Sequence, residues 1–413
     1  MSPNALPPHP PLADARRADK AWLAVALKDT RRRTLRLVKF FAAALGPAMP
    51  VALSPEFNPP LWELGHIGWF ADWWIARNPQ RARGVQADPT TPRFAARQAA
   101  HGFDADALYN SSEVPHDSRW HLPLPSLEQT RKHLSESLTQ TLDLLAMAQD
   151  DDQGLYFFRL ALFHEAMHIE AAVVTAQALG MPIGAALGTV PKTPKQLSLR
   201  MPATTWMQGY QGPGFGFDNE FGAHPVELAA FDIDTQAVSW GRFLPFIDAG
   251  GYENPEFWSP QGWAWRQATD AHAPRYLQRD VQSGSGWKLQ RFEQWFPLDM
   301  RKPACHLSAF EAQAWCRWAG RRLPTEAEWE CAALSLPGFD WGRVWEWTDS
   351  PFAPYPGFNA HPYRDYSQPW FDGRPVLRGA STASQPCMRH PRYRNFFPAA
   401  RNDIWSGFRS VAL

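Results

Sequence analysis

Several features that would mark a common class of protein are missing from this sequence. It has four cysteines and no C-x-x-C pair, which argues against a zinc ribbon or a thioredoxin-like redox site. Basic and acidic residues number 41 each, so a formal net charge of zero gives no sign of a nucleic-acid or membrane-surface partner. No apolar run approaches the length that spans a bilayer, and the Pro-rich start lacks the apolar core of a signal peptide. These absences predict a soluble, cytoplasmic protein with reduced thiols.

Tryptophan is unusually abundant, with 21 residues, and there are 39 prolines. Many prolines indicate irregular structure, and large aromatic side chains among loops favour a domain with pockets. The 413 residues exceed what one hydrophobic core usually spans, so we expect two domains. The composition changes after Pro191, where long helical patterns give way to short alternating segments rich in Gly, Trp and Phe.

The first half carries four long helical patterns. They are expected from Asp19 to Leu45, from Pro59 through His66, from Ser126 to about Ala148, and from Leu155 to Leu179. Four such helices in succession predict an up-down bundle. Residues 1–18 are expected to be a flexible tail, and residues 78–124 a long, partly ordered connection.

Arg31, Arg32 and Arg33 interrupt the apolar face of the first helical pattern. A run of like charges within a helix usually lies on a solvated face. We therefore expect these three side chains to be exposed.

Three histidines stand out on two of the apolar helices. His164 and His168 form an H-E-x-x-H pattern, so both imidazoles share one helix face and can bind one first-row metal. The same letters occur in zinc proteases. His66 lies on another apolar helix, and bundle metal sites are built from facing helices. A buried histidine is more often a packed residue with a hydrogen bond, so the pattern alone leaves both readings open.

Two longer stretches resemble a known family. The residues Asn58-Pro59-Pro60-Leu61-Trp62-Glu63-Leu64-Gly65-His66, with His164-Glu165-Ala166-Met167-His168, resemble the DinB-like half of the ergothioneine-type sulfoxide synthases. The later half resembles the formylglycine-generating-enzyme fold, a variant of the C-type lectin fold, through Gly320-Arg321-Arg322-Leu323-Pro324-Thr325-Glu326-Ala327-Glu328-Trp329-Glu330 and Gly407-Phe408-Arg409. The resemblance implies an α+β protein, with a DinB-like four-helix bundle over 19–190 and a lectin-like α+β domain over 196–413.

Members of this family bind non-haem iron(II), use O2, and couple a sulfur or selenium donor to C2 of the imidazole of hercynine (trimethylhistidine). The resemblance implies that His66, His164 and His168 are the iron ligands. Glu165 and Glu170 are either acceptors for the ring N–H groups or plain surface residues.

The second domain is expected to close the pocket. The segment Pro362-Tyr363-Arg364-Asp365-Tyr366-Ser367 resembles the one that carries an active-site tyrosine, so Tyr363 or Tyr366 is the candidate proton donor. Asn395 and Phe396 fit the hercynine ammonium, since an aromatic wall suits a quaternary cation. Arg401 is a candidate anion anchor.

Four positions bear on the substrates. Met167 stands where the sulfoxide synthases usually have a glutamine that contacts hercynine, and Phe397 at a position that is acidic in some members. Arg119 is the one arginine left in the stretch that holds the carboxylates of γ-glutamylcysteine in those enzymes. Trp120, beside polar side chains, suits a sugar. These departures favour a 1-selenosugar donor, as in the selenoneine synthases.

Other functions remain to be weighed. An ergothioneine-type sulfoxide synthase, coupling hercynine with cysteine or γ-glutamylcysteine, stays open, as does a non-catalytic small-molecule-binding module. A formylglycine generator needs a late pair of cysteines for copper, whereas only Cys387 lies there. A zinc protease is disfavoured because the third candidate ligand, His66, lies upstream of H-E-x-x-H. No nucleic-acid or membrane partner is expected.

Overall fold

The computed structural model describes residues 15–183 and 197–413. Most of the predicted tail and the predicted boundary between the domains, at 190–196, lie outside these residues. Residues Ala15–Arg17 form a short 3-10 turn rather than part of a tail. Arg16 is buried there, and its guanidinium pairs with the carboxylate of Glu220 at 2.7 Å. The segment around residue 16 is therefore packed against the second half of the chain.

The predicted arrangement of a helical first half and a mixed second half is confirmed in outline. The described helices are α1 Lys20–Leu45, α2 Pro60–Ala71, α3 Ala105–Tyr109, α4 Leu127–Met147, α5 Asp152–Ala178, α6 Trp240–Asp248, α7 Pro260–Thr269, α8 Ala309–Trp318 and α9 Glu326–Ser335. In the described part of the chain, none of them combines the length and the apolar composition needed to cross a bilayer.

Capping residues set the helix starts that the sequence indicated. Asp19 caps α1 by accepting a hydrogen bond from the Trp22 amide, and Ser126 forms a reciprocal capping box with Gln129 at the start of α4. Helix α2 begins at Pro60, where a missing N–H costs nothing because the first turn has no acceptor for it.

The strands are short and almost all lie in the second half. They are β1 Gln98–Ala100, β2 Phe103–Asp104, β3 Ser198–Met201, β4 Thr204–Gln208, β5 His224–Leu228, β6 Phe231–Asp234, β7 Leu277–Arg279, β8 Trp287–Arg291, β9 Gln294–Pro297, β10 Arg321–Arg322, β11 Trp345–Pro351, β12 Pro375–Gly379, β13 Asn395–Phe396, β14 Ser406–Gly407 and β15 Val411–Ala412. Two four-stranded sheets have the orders β10-β15-β6-β3 and β13-β12-β11-β14. In the second of these, β11 and β14 are parallel and the other pairs antiparallel.

The arginine run of α1 does not lie on a solvated face as expected. Arg31 and Arg33 are 4% and 3% exposed. The guanidinium of Arg31 donates to both carboxylate oxygens of Glu165 on α5, at 2.8 and 3.1 Å, and Arg33 pairs with Asp29. Arg32 alone projects outward. The ion pair of Arg31 fixes α1 against the helix that carries two of the histidines.

The start of β11 and the loop after β12 meet α5, which brings the second half against the helix that carries His164 and His168. Glu170 on α5 accepts hydrogen bonds from Nε1 of Trp345 at 2.7 Å and from Oγ of Ser381 at 2.8 Å. Nearer the start of α5, the hydroxyl of Tyr156 lies 3.1 Å from Nδ1 of His361. These contacts join the two halves along one face of α5.

Candidate metal centre

Helices α2 and α5 bring the three predicted histidines to one point. His66 comes from the middle of α2, and His164 and His168 lie one turn apart on α5. The Nε2 atom of His164 lies 3.2 Å from Nε2 of His66 and 3.1 Å from Nε2 of His168. Two nitrogens that each lie about 2.1 Å from one ion, roughly at right angles, are separated by about 3 Å. The ligand atoms of all three histidines lie within 4.8 Å of one another, so the group could hold a single metal ion.

The other ring nitrogens fix the direction of the lone pairs. Nδ1 of His66 donates to the carbonyl oxygen of Tyr109 at 2.8 Å, and Nδ1 of His168 donates to the carboxylate of Glu63. In its neutral form, with the proton on Nδ1, each of these two rings turns the lone pair of Nε2 towards His164. A proton on Nε2 of His164 could form a hydrogen bond with only one of these two lone pairs. A cation between the three nitrogens satisfies all of them, so this donor set fits a first-row metal that favours imidazole.

Burial keeps these side chains in the form that a metal requires. It lowers the pKa of His66 to about 3, with the charge of His168 acting in the same direction. Burial also holds the pKa of His164 well below its usual value. Burial opposes the ionisation of Glu63, but contact with His168 outweighs this and lowers the pKa of the carboxyl to about 2. Two neutral imidazoles and an ionised carboxylate are thus in place at neutral pH.

Aromatic rings pack against two of the histidines. Phe70 stacks on His164 with ring centroids 3.5 Å apart and planes inclined by 3°, and Trp62 stacks on His66 at 4.9 Å and 10°. Tyr363 from the second half reaches the same place, with its ring 5.1 Å from Phe70 and 6.4 Å from His164. Both halves of the chain therefore contribute aromatic rings around His164.

The two candidate tyrosines differ in what their hydroxyls do. The Tyr366 hydroxyl lies 2.8 Å from that of Tyr393, and the Tyr393 hydroxyl donates to Sδ of Met167 at 3.7 Å. Since a thioether can only accept, Tyr366 must be the donor to Tyr393. The Tyr363 hydroxyl has no hydrogen-bond partner within 15–183 and 197–413. Burial raises the pKa of Tyr363, so this phenol stays protonated.

Arg119 lies beside the histidines but is already engaged. Its guanidinium donates to Oδ1 of Asn58 at 2.8 Å and to the backbone carbonyls of Ser111 and Val114 at 3.1 and 3.0 Å. It also lies 4.1 Å from the centroid of the Trp62 ring. Trp120, the next residue, donates from Nε1 to the carbonyl of Val51 at 3.0 Å.

The candidates near residue 395 form a second group. Phe396 stacks on Phe352 at 4.0 Å, and its ring is 6.0 Å from that of Tyr366. Asn395 uses its side-chain oxygen to accept from the Phe396 amide. Arg401 lies over the Phe397 ring and forms a two-pronged pair with the carboxylate of Asp403, at 2.6 and 2.7 Å. Phe396 thus joins the aromatic wall of Tyr366, whereas Arg401 is bound to its own neighbour.

Sequence reasoning missed some of the residues that shape the site. Glu63 lies three positions before His66 and Phe70 four positions after it, so helical spacing alone could have placed both on the face of His66. Tyr393 gave no such signal, because the loop that carries it is joined to α5 only by tertiary packing. Glu165 and Glu170, weighed as acceptors for ring N–H groups or as surface residues, are neither: they bind Arg31 and the Trp345–Ser381 pair.

Comparisons with known proteins extend over both halves. A family model described as the sulfatase-modifying factor enzyme 1-like domain matches residues 186–340. The hercynine oxygenase of Mycolicibacterium smegmatis is 32% identical over an alignment of 449 residues, which covers 94% of this chain and 97% of the relative. The hercynine oxygenase of Mycobacterium tuberculosis is 31% identical over 441 residues, with the same coverage of the two chains.

A shorter match involves part of the chain. The formylglycine-generating enzyme of Thermomonospora curvata is 32% identical over 169 residues, covering 37% of this chain and 55% of that enzyme. The hercynine oxygenases, in contrast, match across the helical half and the mixed half together, and so include all three histidines of the site. This chain belongs to the hercynine oxygenase family.

Proposed function

We propose that this protein is a non-haem iron(II) enzyme that uses O2 to form a carbon–selenium bond between a 1-selenosugar and C2 of the hercynine imidazole. The proposal is supported mainly by the three Nε2 atoms of His66, His164 and His168, which lie close together near Tyr363 from the second half. The names of the relatives support hercynine as one substrate. The helical half is then a DinB-like bundle, and the second half a C-type-lectin variant.

Three neutral imidazoles are a ligand set for iron(II) that leaves coordination positions open. Iron held by His66, His164 and His168 would supply the binding and activation of O2 next to the chalcogen donor. Glu63 and the carbonyl of Tyr109 keep two of the rings oriented with Nε2 inward. The stacked rings of Phe70 and Trp62 cover one face each of His164 and His66.

Tyr363 is the proton donor in this proposal. Its ring is 6.4 Å from that of His164, and its hydroxyl is uncommitted among the described residues. The raised pKa keeps the proton on the Tyr363 oxygen until a strongly basic oxygen atom forms next to it. The Tyr366 hydroxyl already donates to Tyr393, so Tyr366 is the less suitable of the two candidates.

The hercynine ammonium is assigned to the aromatic group around Phe396. Phe396 stacks on Phe352 and its ring meets that of Tyr366 edge to face, and a quaternary cation is attracted to aromatic rings. Asn395 lies at the same strand end. Met167 replaces a hydrogen-bonding amide with a polarizable thioether, which suits contact with a large chalcogen atom.

The engaged arginines support a donor without carboxylates. Arg119 is held by Asn58 and two carbonyls, and Arg401 by Asp403, so neither predicted anion anchor is open to a carboxylate. A peptide donor with two carboxylates needs such cations, whereas a sugar needs hydroxyl partners and a stacking ring. Trp120 and His116, in edge-to-face contact at 5.2 Å, offer both.

The second candidate is an ergothioneine-type sulfoxide synthase that couples hercynine with cysteine or γ-glutamylcysteine. It is favoured by the identity to the two hercynine oxygenases across nearly the whole chain. Both candidates share the metal centre and Tyr363, and they differ only in the donor.

Metal analysis tests the proposal against a non-catalytic binding module. We expect about one iron per chain in protein reconstituted without oxygen, and loss of both iron and product formation in His66→Ala and His164→Ala. Folded wild-type protein that binds hercynine but takes up no iron would indicate a module instead.

A further inference from the structure

We propose that Arg119 is a positioning residue of the metal centre, which orients two of the three imidazoles through Asn58–Glu63 and through Trp62. This inference rests on the metal-binding part of the proposed function and is independent of the donor. It reverses the role that the sequence suggested for Arg119, which was contact with a substrate carboxylate.

The first connection is a chain of hydrogen bonds from Arg119 to His168. One guanidinium nitrogen of Arg119 donates to Oδ1 of Asn58 at 2.8 Å. The amide nitrogen of Asn58 donates to Oε1 of Glu63 at 2.5 Å, and the second oxygen of Glu63 accepts from Nδ1 of His168. Because an amide has its donor and acceptor on one carbon, locking the oxygen of Asn58 also directs its nitrogen at Glu63. Arg119 thereby sets the orientation of the Glu63 carboxylate towards the His168 ring.

The second connection runs through the indole of Trp62. The guanidinium carbon of Arg119 lies 4.1 Å from the ring centroid of Trp62, and the Trp62 ring stacks on the His66 ring at 4.9 Å and 10°. Nε1 of Trp62 donates to the carbonyl of Leu108 at 2.7 Å, which prevents the indole from turning. The position of Arg119 therefore limits the tilt of His66.

Arg119 is itself fixed by its own loop. A second guanidinium nitrogen donates to the carbonyls of Ser111 and Val114, at 3.1 and 3.0 Å. The remaining nitrogen, Nε, is buried and has no partner among the described residues, so it offers nothing to a dissolved substrate. Only a planar group with several donors can bind two carbonyls and an amide while it stacks on an indole. The loop that carries Arg119 is thus linked rigidly to two ligands of the metal.

The experiment measures iron(II) affinity by competition with a chelator under anaerobic conditions. We expect Arg119→Ala and Asn58→Ala each to weaken binding about 10-fold or more, as loss of a partner of a metal ligand does. Arg93→Ala is the matched control: Arg93 lies 5.2 Å over Trp73 and 5.1 Å over Trp74, with no bond to a partner of the histidines. The iron(II) affinity of Arg93→Ala should stay within about twofold of that of wild type. Circular dichroism establishes that each variant is folded, and Asn58→Ala carries the test if Arg119→Ala does not fold.

A double variant separates positioning from general loss of structure. If Arg119 acts through Glu63, adding Arg119→Ala to Glu63→Gln should weaken iron binding far less than it does in the wild-type background. The visible spectrum of the cobalt(II) form should change in Arg119→Ala and not in Arg93→Ala. Unchanged iron affinity in Arg119→Ala, with a raised KM for the chalcogen donor, would overturn the proposal. An equal loss of iron(II) affinity in Arg119→Ala and Arg93→Ala would also overturn the proposal. Wild-type protein that binds no iron would instead contradict the proposed function.

Discussion

Glu63 on α2 accepts the Nδ1 hydrogen of His168 on α5, although it lies three residues before His66 on the same helix. One helix therefore supplies one histidine of the proposed metal site and also orients a second histidine on its neighbour. The carboxylate makes the His168 ring a better donor and fixes its tautomer. Metal affinity in this site should depend on a residue that never touches the metal.

Glu63→Gln should weaken iron(II) binding by about 10- to 100-fold, because the amide keeps the size of the carboxylate but loses its charge. Chelator competition measures this directly. Glu56→Gln serves as the control, since Glu56 pairs with Arg275 and contacts no imidazole. An affinity for Glu63→Gln equal to that of the control would show that the carboxylate has no such role.

Tyr363→Phe should lower kcat for coupling by about 100-fold or more, because the variant removes the uncommitted hydroxyl and keeps the ring against Phe70. Hercynine binding, measured by calorimetry, should stay close to that of wild type. Tyr366→Phe is the matched comparison. It should lower kcat less, since the Tyr366 hydroxyl is directed at Tyr393. The reverse order of the two effects would make Tyr366 the donor.

Arg31→Met should lower the free energy of unfolding by about 3–5 kcal/mol, because it leaves the carboxylate of Glu165 buried without its cation. Urea unfolding of the metal-free protein measures the change. Arg32→Met, one position along, changes a side chain that is 67% exposed and should cost less than about 1 kcal/mol. Equal and small effects for the two variants would place Arg31 in a solvated setting, as its sequence pattern suggested.

The metal-free protein should lose stability in mild acid through His306. Burial lowers the pKa of His306 to about 3, helped by the charge of Arg275 and opposed by hydrogen bonds to backbone carbonyls. The unfolded chain gains this proton near pH 6.5. Between pH 6.5 and 3 the unfolded state therefore binds more protons, and the free energy of unfolding falls as the pH is lowered.

His306→Asn should remove this part of the pH dependence, which amounts to about 2 kcal/mol between pH 8 and pH 5. Asparagine is chosen because residue 306 has a positive φ of 62°, a conformation that asparagine tolerates. His101→Asn, at an exposed residue with φ of 48°, controls for the change in backbone preference. Parallel pH profiles for wild type and His306→Asn would contradict the prediction.

The helices and the three histidines were accessible from the sequence because both follow local rules. Caps such as Asp19 and Ser126 mark helix starts, and the spacing of His164 and His168 puts them on one face. The burial of Arg31 was not accessible, since it depends on a carboxylate 134 residues away on another helix. A charged side chain looks the same in a sequence whether its partner is water or a buried glutamate.

The outer contacts of the site show the same limit. Glu63 could have been placed near His66 from its spacing, but its bond to His168 depends on how α2 crosses α5. The engagement of Arg119 by Asn58, 61 residues earlier, likewise depends on the path of the loop. Residue type alone suggested a substrate contact, whereas the fold directs the same guanidinium at Asn58 and Trp62.

A competition between donors shows whether the protein prefers a 1-selenosugar or γ-glutamylcysteine. The iron(II) protein is incubated with O2, hercynine and equal concentrations of a 1-selenosugar and γ-glutamylcysteine, and the products are identified by mass spectrometry. We predict a product with selenium on C2 of the imidazole, formed at a higher kcat/KM than the sulfur product and absent in His164→Ala. Faster coupling of γ-glutamylcysteine would contradict the account and identify the protein as a sulfoxide synthase.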